Sequence, residues 1–88
     1  MTEPVQITLL TQHDCGFCDQ AKQVLNRLAD EYPLQVSEID LASPEGQRLA
    51  TQAGVLFAPG VLVDAQPFSF GRLSERKLRR KLNTRVHT

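Results

Sequence analysis

Residues 5–18 read VQITLLTQHDCGFC, and the fold is decided at the point where this stretch changes character. Val5, Ile7 and Leu9 alternate with Gln6 and Thr8, and Leu10 follows, which is the pattern of a strand buried over most of its surface. Thr11 to Asp14 is a short polar loop. From Phe17 the period becomes helical: Cys18, Ala21, Leu25, Leu28 and Tyr32 fall on one stripe, with Val24 beside it. Cys15 and Cys18, the chain's two cysteines, therefore sit at a strand-to-helix junction. Cys15 lies at the mouth of the helix, where unpaired backbone N–H groups and the positive end of the dipole favour thiolate over thiol. Cys18 lies on the core-facing stripe, one turn further in, from where it can reach back and close a disulfide. The pattern implies thiol–disulfide exchange.

Outward from this junction, Pro33 is expected to end the first helix, because the residue before a proline is pushed out of the α region. Leu34 to Leu41 is expected to be a second strand with Val36 and Ile39 facing the core. Strand, crossover helix and strand of these lengths predict a right-handed βαβ unit with parallel strands. Ser43-Pro44-Glu45 marks the start of a second helix: a capping serine, proline at the first position and an acid in the first turn. Gly54 is placed to stop that helix, and Gly46 is expected to weaken it from inside. Val61 to Val63 and Phe68 to Gly71 are two short strands of a hairpin around Asp64-Ala65-Gln66-Pro67, whose turn type the sequence leaves open. Ser74 caps a last helix, with Leu73 and Leu78 spaced to staple across the cap. Residues from Thr84 are expected to fray. The expected order is β-α-β-α-β-β-α, an α/β domain with a four-stranded mixed sheet and helices on both faces.

Eighty-eight residues predict a single domain, 1–88. A hydrophobic share of 41% fits a globular chain rather than a disordered one. No apolar run approaches the ~20 residues that span a bilayer, so no membrane association is expected. The start, MTEPVQ, has neither a basic region nor an apolar core of a signal peptide, so a reducing cytoplasmic location is expected. In that setting a C-x-x-C pair implies redox or metal chemistry rather than a structural staple. Net charge is zero, but residues 72–88 hold seven basic side chains and one acid, a local +6, and the rest of the chain carries −6. That layout could steer a charged partner, although a solvated basic helix is the plainer expectation.

Strand, C-x-x-C at a helix start, second strand, then Pro59 before a hairpin and a final helix resembles the thioredoxin fold. The short chain, without an extra N-terminal strand, is similar to the glutaredoxin branch, and Phe68 to Glu75 with the Arg/Lys-rich helix resembles small bacterial glutaredoxin-like proteins. The resemblance covers Val5 to Leu82. It implies a dithiol thiol–disulfide oxidoreductase in which Cys15 attacks and Cys18 resolves. Pro59 matches the cis-proline that faces the disulfide in this fold, and the backbone of Ala58 would pair with a bound thiol substrate. Phe57, next to Ala58, is counted with them on the substrate face. Phe17 would form an apolar lip for substrate or pack on Phe57, and the sequence does not separate the two.

The departures from the family pattern bear on the reductant. The cysteines enclose Gly16-Phe17 rather than Pro-Tyr or Gly-Pro. Gln12-His13-Asp14 stands where a lysine is usual, and Gly71-Arg72-Leu73-Ser74 where a Gly-Gly-x-Asp stretch is usual. Glutathione, another small thiol or a protein reductase could therefore serve. The expected partners are a disulfide-containing protein or a small-thiol mixed disulfide, met by a monomer. His13 could add positive charge near Cys15, opposed by Asp14 and Asp19.

Two other classes stay open. Gly16-Phe17 is usual in monothiol glutaredoxins that hold iron–sulfur clusters, so a cluster shared between two protomers through Cys15 is one alternative, although those proteins have serine where this chain has Cys18. Zinc wants four ligands and only Cys15, Cys18, His13 and His87 are on offer, so neither a metal nor a tightly bound cofactor is expected. The second alternative is a non-catalytic binding module using the basic helix. No aromatic interleaving accompanies Arg76 to Lys81, and nucleic acid is not expected as a partner.

Overall fold

A computed structural model describes residues 3–86. The order is β1 (Val5–Thr11), α1 (Gly16–Ala29), β2 (Leu34–Asp40), α2 (Pro44–Ala53), β3 (Gly60–Val63), β4 (Gln66–Phe70) and α3 (Glu75–Val86). This is the expected order, β-α-β-α-β-β-α. The sheet runs β2-β1-β3-β4. β1 pairs parallel with β2, from Val5 opposite Leu34 to Thr11 opposite Asp40. It pairs antiparallel with β3, Leu10 opposite Gly60 and Ile7 opposite Val63.

The alternation of β1 sorts its side chains between two cores. Val5, Ile7 and Leu9 face α1 and α3, meeting Ala21, Val24, Leu25 and Leu28 of the first helix and Leu78 and Leu82 of the last. Leu10 and Leu62 face the other way, onto Ala50 of α2, with Ile39, Leu41 and Val55 packed around them. Val61 and Val63 join the first core, so β3 is buried on both faces.

Several local expectations are corrected. The first helix stops at Ala29, two residues before Glu31, the last residue free of the proline constraint, with Asp30 as its cap. Tyr32 has left the helix and packs on the core from a turn, its hydroxyl bonded to Asn83. Val36 is 41% exposed rather than a core contributor. It lies on the edge strand, beside the polar flank of α1 formed by Lys22 and Asn26, where no second strand covers it. Ile39 does pack inward.

Gly46 is an adaptation rather than a weakness. A Cβ there would fall on the backbone carbonyl of Asp40, so only glycine lets α2 approach the end of β2 this closely. Gly54, at φ 73, closes α2 in the left-handed region as expected.

The hairpin turn is tighter than the sequence suggests. Val63 pairs with Gln66, leaving Asp64 (φ 50) and Ala65 (φ 67) as a two-residue loop with positive φ at both positions, the type I′ geometry. Strand β4 thus begins at Gln66. It carries Pro67 on the outer edge of the sheet, with a register shift that leaves Phe68 without an opposite residue. Ser74 caps α3 by accepting the Lys77 N–H at 3.2 Å, and Leu73 and Leu78 are both buried. Thr84 and Arg85 remain helical rather than frayed, and Arg85 is ion-paired with Asp64 of the turn. Residues 87–88, included in the fraying expectation, and His87 of the candidate zinc set lie outside the described residues. No helix among those described is long and apolar enough to cross a membrane.

Candidate active site at the Cys15–Cys18 pair

β1 delivers the chain to the loop Gln12–Asp14, and the loop makes its turn at Asp14, whose φ of 52 places a non-glycine residue in the left-handed region. Cys15 follows in an extended conformation (φ −117, ψ 103) as the N-cap of α1. Its Sγ accepts the Cys18 N–H at 3.1 Å, and its carbonyl accepts the N–H groups of Cys18 and Asp19 at 3.1 and 3.2 Å. A cap side chain normally offers oxygen to these orphan donors; here the acceptor is sulfur. The two cysteines are joined as a disulfide, with Cα atoms 5.1 Å apart. Their exposures differ as the periodicity implies: Cys18 is buried at 2% exposure, and Cys15 is half-buried. Gly16 has open space where a side chain would stand, and Phe17 is exposed.

The second half of the site comes from the sheet's connectivity. β3 runs opposite to β1, so the loop entering β3 lies at the end of the sheet where β1 stops. Ala58 and Pro59 form that loop; the bond between them is cis, and both residues are buried. The Gly71 N–H donates to the Pro59 carbonyl at 2.8 Å, which ties the segment leaving β4 to this loop. Phe57 stands edge-on to Phe70, ring centres 5.0 Å apart at 89°. Its ring also fills the space beside Gly71, where a Cβ would come within 2.9 Å. The aromatic partner of Phe57 is thus Phe70 rather than Phe17.

Gln20 was not among the residues singled out from the sequence. Its amide donates to the Leu73 carbonyl at 3.0 Å and accepts the Leu73 N–H at 3.3 Å. Helix α1 is thereby fastened to the 71–74 segment, and through Gly71 to Pro59. No local signal announces this, because the partners lie 53 positions apart. His13 and Asp14 are exposed in the approach loop. Among the described residues, no group of three or more His, Cys, Asp or Glu side chains is placed to hold a metal ion.

A four-stranded mixed sheet between helices, with a C-x-x-C pair capping the first helix, defines a protein of thioredoxin-like fold and thiol-redox type. Residues 6–83 match the glutaredoxin-like domain family (DUF836), and the chain belongs to that family. A curated relative, NADPH-dependent thioredoxin reductase 3 of Arabidopsis thaliana, is 35% identical over 57 residues. That match takes in 65% of this chain but 11% of the relative, so the chain spans about a tenth of the length of the protein it matches. Among solved structures, a mutant thioredoxin from Halobacterium salinarum NRC-1 superimposes with a TM-score of 0.72 at 24% identity, covering 96% of this chain and 76% of that one. A structure described as a malarial protein gives a TM-score of 0.70 at 14% identity, covering 96% of this chain and 99% of its own.

Proposed function

We propose that the protein is a dithiol thiol–disulfide oxidoreductase that reduces protein or mixed disulfides. The observation that carries this reading is the Cys15 Sγ seated at the N-cap of α1, within hydrogen-bond distance of the Cys18 N–H and bonded to the buried sulfur of Cys18. In the reduced protein the same donor and the helix dipole favour the Cys15 thiolate. That thiolate attacks one sulfur of the substrate disulfide, forming a mixed disulfide and expelling the other sulfur as a thiolate. Cys18 then gives up its proton and attacks the Cys15 sulfur, releasing the second substrate thiol and leaving the Cys15–Cys18 disulfide. Two electrons and two protons pass to the substrate. A small thiol such as glutathione, or a protein reductase, would return them. Phe17, Phe57, Ala58 and Pro59 form the substrate-facing surface in this reading, no tightly bound cofactor takes part, and the protein acts as a cytoplasmic monomer.

The test compares the wild type with Cys15→Ser and Cys18→Ser on hydroxyethyl disulfide and on a protein disulfide, with glutathione and with a thioredoxin-reductase system as alternative reductants. Cys15→Ser is expected to fall to the buffer rate on both substrates. Cys18→Ser is expected to lose the protein disulfide and to accumulate the trapped mixed disulfide, visible as added mass. A Cys15→Ser protein as active as the wild type would remove the proposal.

A further inference from the structure

The side chain of Gln20 reaches from α1 to the segment that follows β4. Its amide donates to the Leu73 carbonyl at 3.0 Å and accepts the Leu73 N–H at 3.3 Å, so one side chain holds both polar groups of one backbone residue. Leu73 itself is buried in the core shared by α1 and α3. Two positions earlier, the Gly71 N–H donates to the Pro59 carbonyl at 2.8 Å, and the ring of Phe57 lies against Gly71. Segment 71–73 is thus held by α1 on one side and holds the loop ending at Pro59 on the other. Packing does not need an amide at position 20, because Ala21, Val24 and Leu25 already seat this part of α1 on the core. The amide contributes direction: two opposed hydrogen bonds fix where the Leu73 backbone lies.

These contacts close a frame around the cysteine pair. On the sheet side, β1 leads to Cys15 and pairs with β3, Leu10 opposite Gly60, directly after Pro59. On the helix side, Gln20 stands five residues beyond Cys15, about 7.5 Å along the axis of α1. From there the path runs through Leu73 and Gly71 to Pro59. A loop held on both sides keeps its distance from the Cys15 sulfur, whereas one held on the sheet side alone can swing. Arg27 also ties α1 to the chain near Leu73, bonding Glu75 at 2.7 Å, but it lies about two turns further along α1. Its partner belongs to α3 beyond Ser74, both side chains are partly exposed, and the path to Pro59 does not pass through it.

We propose that Gln20 is a positioning residue for exchange with polypeptide disulfides. By holding both polar groups of Leu73, it sets the Ala58–Pro59 loop at the distance from the Cys15 sulfur where a chain bonded to that sulfur also pairs with the Ala58 backbone. This rests on the reading of Cys15 as the attacking thiol. The sulfur chemistry is unchanged: the Cys15 thiolate breaks one substrate S–S bond, one substrate thiolate leaves, and Cys18 displaces the other as the Cys15–Cys18 disulfide forms. Gln20 acts through Leu73 and Gly71, not on sulfur. Its effect therefore falls on chains that span both halves of the site, and a small disulfide that meets Cys15 alone is indifferent to it.

The test uses reduced full-length protein freed of reductant and held well below the melting temperature of each variant. Single-turnover rates are measured with a disulfide-cyclised peptide and with hydroxyethyl disulfide, which has no peptide group to pair with Ala58. The pH profile of Cys15 alkylation by iodoacetamide reads the thiolate separately. Gln20→Ala is expected to lower the ratio of the peptide rate to the hydroxyethyl disulfide rate by about tenfold, inside the roughly hundredfold that a misplacement of about 1 Å can cost. The alkylation profile and the hydroxyethyl disulfide rate should stay at the wild-type level. Gln20→Glu keeps an acceptor for the Leu73 N–H and loses the donor to its carbonyl; it should lower the ratio in the same direction, so the test does not depend on the truncated variant folding. Arg27→Gln, which removes the other tie, should leave the ratio unchanged. A ratio unmoved by both Gln20 substitutions overturns the proposal, and so does a fall of both rates together or an equal fall in Arg27→Gln. In those cases reduction of hydroxyethyl disulfide by the wild type leaves the Cys15 reading standing. A wild type that reduces neither substrate removes that reading and the positioning role with it.

Discussion

A helix N-cap is ordinarily a hydroxyl or carboxylate oxygen, and at residue 15 it is sulfur. The choice was legible, since a cysteine placed at the junction of two periodicities could only fall near the first turn. Less legible was the backbone that sets it there. Asp14 takes a positive φ, and so do Asp64 and Ala65, although none of the three is glycine. Alanine has no side-chain oxygen with which to offset the left-handed conformation, so Ala65 is the most strained of them. Ala65→Gly is therefore expected to stabilise the fold by about 0.5–1 kcal/mol, read as a higher urea midpoint at unchanged slope. A lower midpoint would mean that the alanine methyl makes a contact worth more than the strain. Gly46 argues in the opposite direction. Gly46→Ala improves helix propensity, yet its methyl would meet the Asp40 carbonyl. The substitution is expected to destabilise by about 1–3 kcal/mol, the usual cost of overpacking.

At the scale of elements, the sequence disclosed whatever repeats locally and hid whatever depends on a distant partner. The alternation of Val5 to Leu9 and the stripe of α1 named the core residues correctly, because each pattern is written within a few residues. Val36 misled because period two says which face a residue takes and not whether the strand lies at an edge. β4 began early because Val63 and Gln66 pair around a turn that lacks glycine. The end of α3 is held by Arg85 against Asp64, a partner 21 positions away that no local reading would find. The same limit applies at the site. The cysteine pair and the loop at Pro59 were legible from spacing and resemblance, whereas Gln20, which joins α1 to the segment before α3, was not. Gln20→Ala would leave both backbone groups of the buried Leu73 without their side-chain partner. A loss of about 1–3 kcal/mol is expected, with faster hydrogen exchange at the Leu73 amide. Unchanged exchange there would show that the amide is protected by something other than Gln20.

Over the whole molecule, the separation of a basic C-terminal helix from an acidic remainder is partly a device for closing the fold. Arg27 of α1 pairs with Glu75 at the start of α3, Arg79 reaches both Glu75 and Glu31, and Arg85 meets Asp64. Arg72, Arg76, Lys77, Arg80 and Lys81 stay exposed. The carboxyls of Glu75, Glu31 and Asp64 are all held below their ordinary values, in each case mainly by the hydrogen bond from the paired arginine. A carboxyl whose folded value is depressed contributes stability at pH above its unfolded value. That contribution is lost as pH falls through the folded value. The unfolded values are near 4.5 for the glutamates and 3.8 for the aspartate, so the window opens below pH 4.5 and extends downward. The melting temperature at low salt is therefore expected to be level near neutrality and to fall as pH drops from about 4.5 to about 3. Glu75→Gln, which removes the carboxylate shared by two arginines, should lower the neutral plateau slightly and make the fall shallower. The pairs lie at the surface, so raising ionic strength should reproduce part of that flattening in the wild type. A melting temperature that falls equally steeply in the wild type and Glu75→Gln, at low and high salt alike, would place the acid sensitivity in other carboxyls. The bridge between α1 and α3 would then be a consequence of their apolar packing rather than a contributor to it.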